Sequence, residues 1–146
     1  MTVRAGIVGA AGYSGVETVR ILLKHPHARV VWVTSGTYKG KKISDVHPDL
    51  RGRTDLVFIE DDVSRAKEVD VVFLALTAEE SLAEAPKYLA AGIRVVDLSG
   101  AFRIDAGDYP AYYGFPHTAP ALLKDAAYGL PELFAESVRK AKLVAN

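Results

Sequence analysis

Glycines recur at three-residue intervals near the start of the chain, at Gly6, Gly9, Gly12 and Gly15. Apolar residues alternate with others before them and recur at helical spacing after them, so the glycines lie at a strand-to-helix turn. A pyrophosphate needs unhindered backbone N–H groups at a helix N-terminus, and side chains at the loop glycines would block its approach. We predict that the following run binds the phosphates of a nucleotide: Gly9, Ala10, Ala11, Gly12, Tyr13, Ser14 and Gly15.

The glycine spacing leaves a second interpretation open. The loop reads G-x-x-G-x-x-G, whereas the common dinucleotide fingerprint reads G-x-G-x-x-G. A glycine-rich tight turn that binds nothing has the same composition. The strand before the loop, and the helix and second strand after it, favour the phosphate-binding interpretation.

The end of the second strand, residues 30–34, decides which dinucleotide fits. Folds that bind NAD place an acidic residue there, about twenty positions after the glycines, to accept the ribose 2′-hydroxyl. Here the strand ends in Thr34 and Ser35, and Lys39 is the first of three lysines in residues 39–42. Hydroxyl donors and cations without a carboxylate favour NADP. The alternative is that the lysines form a solvated loop.

Further candidate contacts follow two apolar strands. Ligands in open α/β sheets bind beyond the carboxyl ends of the strands, and residues 69–76 and 93–99 both read as strands. Thr77 could instead cap the next helix, because Glu80 stands three residues later. The remaining candidate cofactor contacts are Ala75, Leu76, Thr77 and Ser99.

The order of elements predicts one α/β domain over residues 1–146, of the Rossmann type. We expect a doubly wound, mainly parallel sheet with helices on both faces. The strand at 69–76 should be buried on both faces, and Pro86 should kink or restart the helix that follows it. Residues 100–127 show no period and read as a long irregular segment, which is usually functional. A helix then runs to Lys140, and a strand begins at Lys142.

The composition limits the classes of partner and of chemistry that these residues can have. The chain has 146 residues, 49% of them hydrophobic, and 18 basic residues balance 18 acidic ones. This balance favours a small-molecule partner over nucleic acid or a membrane surface. The sequence contains no cysteine, which excludes disulfides and thiolate chemistry within these residues. No leader or membrane-spanning run is evident, so we expect a cytoplasmic protein, and no metal site is predicted.

His47 is followed by Pro48 within a turn-rich stretch. A loop histidine can act as an acid or a base. A histidine that precedes proline in a loop is more often structural or exposed, so we assign His47 no catalytic role.

Four segments together resemble the signatures of the N-acetyl-gamma-glutamyl-phosphate reductases, in the order in which that family carries them. The resemblance spans nearly the whole chain. The segments are Gly-Ala-Ala-Gly-Tyr-Ser-Gly at 9–15, Asp-Leu-Ser-Gly-Ala-Phe-Arg at 97–103, Tyr-Gly-Leu-Pro-Glu at 128–132 and Leu-Val-Ala-Asn at 143–146. The family usually carries Ala-Asp where this chain has Gly100 and Ala101.

The resemblance implies a reaction whose nucleophile lies outside this chain. In the family, Asn146 would be followed by Pro-Gly-Cys, and the cysteine thiolate attacks an acyl phosphate. Phosphate leaves, and the resulting thioester is reduced with NADPH to the semialdehyde. A catalytic histidine and a second domain also follow. We therefore expect no catalytic residue in these 146 residues, which would bind NADP and reduce nothing alone.

Arg103 is the candidate substrate contact. It follows a central strand, so it should reach the crevice rim, where a guanidinium can hold phosphate oxygens in two places. The family's Asp-Phe-Arg element agrees with this position. The alternative is a surface ion pair with Asp105 or Asp108.

The sequence is also compatible with other functions. A related reductase of carrier-protein-linked aminoadipyl or glutamyl phosphate resembles residues 47–53. A non-catalytic dinucleotide-binding module is a second alternative. Aspartate-semialdehyde dehydrogenase shares the glycine spacing and the mechanism, but it lacks the segment at 128–132. The expected partner is a small acyl phosphate, and the complete protein is expected to be a homo-oligomer.

Overall fold

The computed structural model describes residues 2–146, which form a single seven-stranded sheet in the order β3-β2-β1-β4-β5-β7-β6. Every neighbouring pair of strands is parallel. The strands are β1 (Val3–Val8), β2 (Ala28–Thr34), β3 (Phe58–Ile59), β4 (Val71–Leu74), β5 (Arg94–Asp97), β6 (Ala126–Tyr128) and β7 (Leu143–Ala145).

Helices connect the strands. Short 3-10 helices occupy Pro48–Leu50, Val63–Glu68 and Pro120–Asp125. None of the helices in residues 2–146 has the length and apolar character needed to cross a bilayer. The α-helices are α1 (Tyr13–Lys24), α2 (Ile43–Val46), α3 (Ala78–Ala90), α4 (Tyr109–Tyr113) and α5 (Pro131–Lys140).

The strand order reverses between β1 and β4. From β1 the chain moves outward through β2 and β3, then returns to place β4 on the other side of β1. The connections after β1 and β4 therefore leave in opposite directions and open a crevice beyond the carboxyl ends of these two strands. The Rossmann-type architecture predicted from the sequence is confirmed, and the glycine loop lies at this crevice.

Two apolar layers hold the helices on the sheet. On one face, Val16 and Val19 of α1 pack with Ile7 and Val33, which are fully buried. On the other face, Tyr88 of α3 joins a second buried layer with strands β4 and β5. The expected helices on both faces are confirmed, and each helix is fixed by the stripe of apolar residues that it buries.

Strand β4 departs from the expectation of burial on both faces. It is confined to Val71–Leu74, and burial alternates along it: Val72 and Leu74 are buried, whereas Val71 and Phe73 are only half-buried. On the half-buried side, a groove of about 620 Å³ lies along the sheet and is bordered by α5. An apolar run cannot distinguish burial on one face from burial on two, because coverage depends on distant segments.

The stretch 100–127 is more regular than the sequence indicates. It contains α4 and a 3-10 helix, and it ends in the edge strand β6, which was not predicted. Of the two expected effects of Pro86, a kink or a restart, the restart is wrong, because α3 continues through this residue. The buried side chains of Leu82, Ala85 and Tyr88 anchor α3 to the sheet on both sides of the ring, which offsets the lost hydrogen bond.

Candidate functional site

The glycine loop is held on its inner side by β2. The Gly9 amide donates to Thr34 Oγ1 at 3.3 Å, and the Ala10 amide donates to the Thr34 carbonyl oxygen at 3.0 Å. The Gly12 amide closes a turn by donating to the Gly9 carbonyl oxygen at 3.2 Å. The buried Thr34 hydroxyl therefore positions the loop, a role that the sequence did not reveal.

Four amides of the loop remain free to bind an anion. Helix α1 begins at Tyr13 without a side-chain cap at Gly12. Within residues 2–146, the amides of Ala11, Tyr13, Ser14 and Gly15 have no hydrogen-bond acceptor. Tyr13 is 94% exposed, so the loop lies open to the crevice. Unpaired amides at a helix N-terminus favour a negatively charged ligand.

The three loop glycines differ in what a side chain at their position would contact. Gly9 has a φ of 78°, and a Cβ there would lie 2.4 Å from the Ala75 carbonyl oxygen. A Cβ at Gly15 would lie 2.4 Å from the Gly9 carbonyl oxygen. A Cβ at Gly12 would meet nothing closer than the Gly9 carbonyl oxygen at 3.7 Å. The fold therefore requires glycine at 9 and 15 but has room for a Cβ at 12.

A cleft of about 200 Å³ adjoins the loop. It brings together Gly9, Thr34, Ser35 and Leu76, four of the residues predicted to contact the cofactor. Acidic side chains form part of its wall. Its lining residues are Val8, Gly9, Thr34, Ser35, Gly36, Asp61, Leu76, Glu80 and Glu84.

Ser35 and the lysines after it occupy different environments. Ser35 is buried in the cleft wall, and its Oγ accepts a hydrogen bond from the Tyr38 amide at 3.2 Å. Lys39 is exposed and pairs with Glu60. Lys42 pairs with Asp55 at 3.0 Å, and the Lys41 ammonium lies 5.7 Å from the centre of the Tyr38 ring. The lysines thus have surface partners, as the solvated-loop alternative requires.

Asp61 is a cleft carboxylate whose pKa is shifted by its surroundings. Burial raises the pKa of Asp61, and the hydrogen bond that it accepts from the Tyr88 hydroxyl opposes this shift. Burial also raises the pKa of Tyr88 above its usual value, so the phenol stays protonated and donates. The pair joins the cleft wall to α3.

The side chains of Thr77 and Ser99 form hydrogen bonds with neighbouring residues of the protein. Thr77 and Glu80 form a complete capping box at the start of α3, as the alternative interpretation predicts. Ser99 is buried, and its hydroxyl donates to the Asp97 carboxylate at 2.8 Å. Ser99 Oγ also accepts from the Ala101 amide at 3.0 Å. Ser99 therefore shapes the turn after β5 and does not line the cleft beside the glycine loop.

Arg103 contacts the main chain at the end of β7. Its Nε and Nη2 donate to the Asn146 carbonyl oxygen at 3.1 and 2.5 Å. Nη2 also lies 3.4 Å from the Leu98 carbonyl oxygen. The expected alternative, an ion pair with Asp105 or Asp108, does not form in residues 2–146. Arg103 and both aspartates line a cleft of about 370 Å³.

Two histidines that were given no site role fix loops. His117 Nε2 lies 2.9 Å from the Ala101 carbonyl oxygen, and the Ala119 amide donates to His117 Nδ1 at 3.1 Å. Burial lowers the pKa of His117, which favours the neutral ring that this pairing needs. His47 Nε2 lies 3.0 Å from the Ala11 carbonyl oxygen, on the outer side of the glycine loop.

The chain matches a known family over nearly its whole length. The profile of the semialdehyde dehydrogenase NAD binding domain matches residues 4–141. This span includes the glycine loop, the cleft beside it and the turn that carries Arg103.

Sequence relatives are reductases. A Herminiimonas arsenicoxydans protein named N-acetyl-gamma-glutamyl-phosphate reductase is 46% identical over 145 residues, covering 99% of this chain and 42% of that protein. A Pseudomonas aeruginosa protein of the same name is 48% identical, with 98% and 42% covered. The chain thus spans less than half the length of these curated relatives.

Solved structures share the fold. Aspartate semialdehyde dehydrogenase II of Vibrio cholerae aligns with a TM-score of 0.70 at 20% identity, covering 100% of this chain and 42% of that one. The Candida albicans aspartate semialdehyde dehydrogenase, solved with NADP, aligns with a TM-score of 0.65 at 23% identity, with 95% and 36% covered. From the family match over residues 4–141, the chain belongs to the semialdehyde dehydrogenase NAD-binding domain family.

Proposed function

We propose that the glycine loop binds the pyrophosphate of NADP through the free amides of Ala11, Tyr13, Ser14 and Gly15. The observation that carries this proposal is the open space at Gly12, where a Cβ would meet no atom closer than 3.7 Å. Glycine at this position is explained by a ligand that comes close to the backbone. Leu76 lines the cleft beside this loop, and Ala10, whose side chain is fully buried, belongs to the same loop.

We also propose that NADP is preferred to NAD. Support comes from Ser35, which lies in the cleft at the end of β2, where NAD-binding folds place a carboxylate. Lys39 stands four residues later, and its exposed pairing with Glu60 can be exchanged for a phosphate. The Candida albicans relative of this fold was solved with NADP. Thr77, which caps α3, and Ser99, which holds the turn after β5, are proposed to support the cofactor site by fixing the backbone there.

Replacing Ser35 by Asp should reverse the cofactor preference. A carboxylate at this point repels the 2′-phosphate and accepts the free 2′-hydroxyl of NAD, so we expect NADP affinity to fall by about tenfold or more. Calorimetric titration with both cofactors measures this change. Ser137→Asp, on exposed α5, adds the same charge far from the cleft and should change neither affinity. Equal affinity of the unaltered chain for NAD and NADP would refute the preference.

For the complete protein we propose reduction of an acyl phosphate, N-acetyl-gamma-glutamyl phosphate, to the semialdehyde with release of phosphate. Support comes from the relatives, which carry this name and extend well beyond the matched residues. NADPH supplies the hydride in this reaction. The residues of this chain bind and orient it, and a cysteine that follows Asn146 forms the thioester. The carrier-protein-linked aminoadipyl or glutamyl phosphate remains the alternative substrate.

The complete reading frame tests this function. It should continue from Asn146 into a cysteine, and the expressed protein should form NADPH from N-acetylglutamate semialdehyde, phosphate and NADP. A frame that ends at Asn146 would favour the non-catalytic dinucleotide-binding module. Activity confined to the carrier-linked substrate would favour the lysine-type relative. We further propose a cytoplasmic homo-oligomer with a small-molecule substrate and no nucleic-acid or membrane partner.

Arg103 is proposed to hold the substrate phosphate in that complete protein. Its Nη1 has no acceptor within residues 2–146, whereas Nε and Nη2 are occupied by main-chain carbonyl oxygens. The guanidinium is thus held from one side and keeps two N–H donors for an oxyanion at the adjoining cleft.

Arg103→Lys should lower kcat/KM for the acyl phosphate by about tenfold to a hundredfold, since lysine keeps the charge but loses the fork. NADP affinity should stay within about threefold, because the pyrophosphate loop is untouched. Steady-state kinetics of the complete protein measure both quantities. Arg94→Lys, on the exposed start of β5, is the control. Unchanged kinetics with reduced thermal stability would assign Arg103 to fixing the main chain alone.

A further inference from the structure

The outer side of the glycine loop carries a contact that neither the fold nor the proposed cofactor site explains. His47 Nε2 lies 3.0 Å from the Ala11 carbonyl oxygen, which is 36 residues away in sequence. A carbonyl oxygen only accepts hydrogen bonds, so Nε2 carries the hydrogen and donates. His47 is half-buried, which shields this bond from competing water.

The contact fixes the orientation of one peptide group. The Ala11 carbonyl and the Gly12 amide belong to the same planar unit, so they point in opposite directions. His47 holds the carbonyl, while the Gly12 amide donates to the Gly9 carbonyl oxygen at 3.2 Å. Both ends of the peptide are therefore tied, and the carbonyl oxygen is turned toward His47.

The orientation of this peptide decides which backbone groups face a bound anion. The amides of Ala11 and Tyr13 flank the fixed peptide and are both free. Rotation of the peptide would redirect its neighbours and could turn the Ala11 carbonyl oxygen toward the bound phosphate. An oxygen there would repel the anion and reduce the number of donors that converge on it.

The segment that carries His47 is itself rigidly attached. Asp49 accepts two hydrogen bonds from Arg20 of α1, each at 2.7 Å. Leu50 and Ile43 are fully buried against the layer beneath α1. The histidine is thus supported by an ion pair and an apolar anchor, which gives its hydrogen bond a fixed direction.

We propose that His47 is a positioning residue for the dinucleotide: its Nε2–H holds the Ala11–Gly12 peptide so that the loop amides converge on the pyrophosphate. The inference rests on the proposed dinucleotide function and assigns His47 no part in the chemistry.

Two substitutions distinguish the effect of the hydrogen-bond donor from the effect of side-chain volume. His47→Leu removes the donor, and we expect NADP⁺ affinity to fall about tenfold, as for loss of one positioning hydrogen bond. His47→Gln places an amide N–H near the position of Nε2 and should restore affinity to within about threefold. Adenosine 2′-monophosphate has no pyrophosphate, so its affinity should be equal in all three proteins. Calorimetry of the 146-residue chain measures both ligands.

His27→Leu is the matched control, because it makes the same exchange at an exposed histidine that precedes the amino end of β2, opposite the glycine loop. It should leave NADP⁺ affinity within about threefold. Unchanged NADP⁺ affinity in His47→Leu would overturn the inference, as would an equal loss for adenosine 2′-monophosphate, failure of glutamine to rescue, or an equal loss in His27→Leu. If the unaltered chain binds neither ligand, the proposed function itself fails.

Discussion

Replacing Gly12 by Val is expected to abolish NADP⁺ binding while the fold is retained. Apart from its chain neighbours, the new Cβ has no atom closer than the Gly9 carbonyl oxygen at 3.7 Å, so the first carbon of the side chain meets no clash within the fold. The isopropyl group would stand between the pyrophosphate and the free amides of Tyr13 and Ser14. Loss of two charge-assisted hydrogen bonds, each worth about 1.5–3 kcal/mol, corresponds to about a hundredfold or more in affinity.

Calorimetric titration measures the binding of this variant, and urea unfolding measures its stability. We expect a cost of about 1 kcal/mol, because a helix N-cap accepts glycine more readily than an apolar residue. Gly107→Val is the control, since a Cβ at Gly107 meets no atom within 4 Å and lies far from the loop. A Gly12→Val protein that still binds NADP⁺ with unchanged stability would refute the phosphate-binding loop.

Gly15→Ala should have the opposite effect, with a large loss of stability. A single Cβ at Gly15 would lie 2.4 Å from the Gly9 carbonyl oxygen and 2.6 Å from the Ala10 Cα. Both are backbone atoms, and Ala10 is fully buried, so neither can move without displacing α1 from the sheet. Overpacking of this kind costs about 3 kcal/mol or more.

Urea unfolding of Gly15→Ala beside Gly12→Ala isolates this effect, because the two variants receive the same methyl group three residues apart. We expect the first variant to unfold at a much lower urea concentration and the second to stay near the unaltered chain. Equal midpoints for the two variants would contradict the close approach of α1 to the loop.

The local features of the fold could be predicted from the sequence. The alternation of Val3, Ala5 and Ile7 and the helical spacing after Gly15 were sufficient to predict β1 and α1, although β1 is buried without interruption from Ala5 to Val8. The capping box at Thr77 was predicted as an alternative from spacing alone, because a helix cap is a contact between near neighbours. The order of strands and helices was sufficient to predict the Rossmann-type sheet.

Features that depend on distant contacts could not be predicted. The role of the Thr34 hydroxyl depends on Gly9, and that of His47 depends on Ala11, partners that lie 25 and 36 residues away. Strand β6 is only Ala-Ala-Tyr, too short and too weak in strand propensity to be recognised without its neighbour β7. The burial of β4 depends on how far other segments cover the sheet.

The backbone amide NMR spectrum of the 146-residue chain, titrated with NADP⁺, tests whether the glycine loop binds the pyrophosphate. We expect saturable shifts of the Ala11, Tyr13, Ser14 and Gly15 amides, with smaller shifts at Ser35. Amides at the amino ends of the strands, such as that of Arg94 at the start of β5, should not move. Unchanged loop amides at millimolar NADP⁺, or saturable shifts confined to another surface, would contradict the assignment of the glycine loop as the pyrophosphate site.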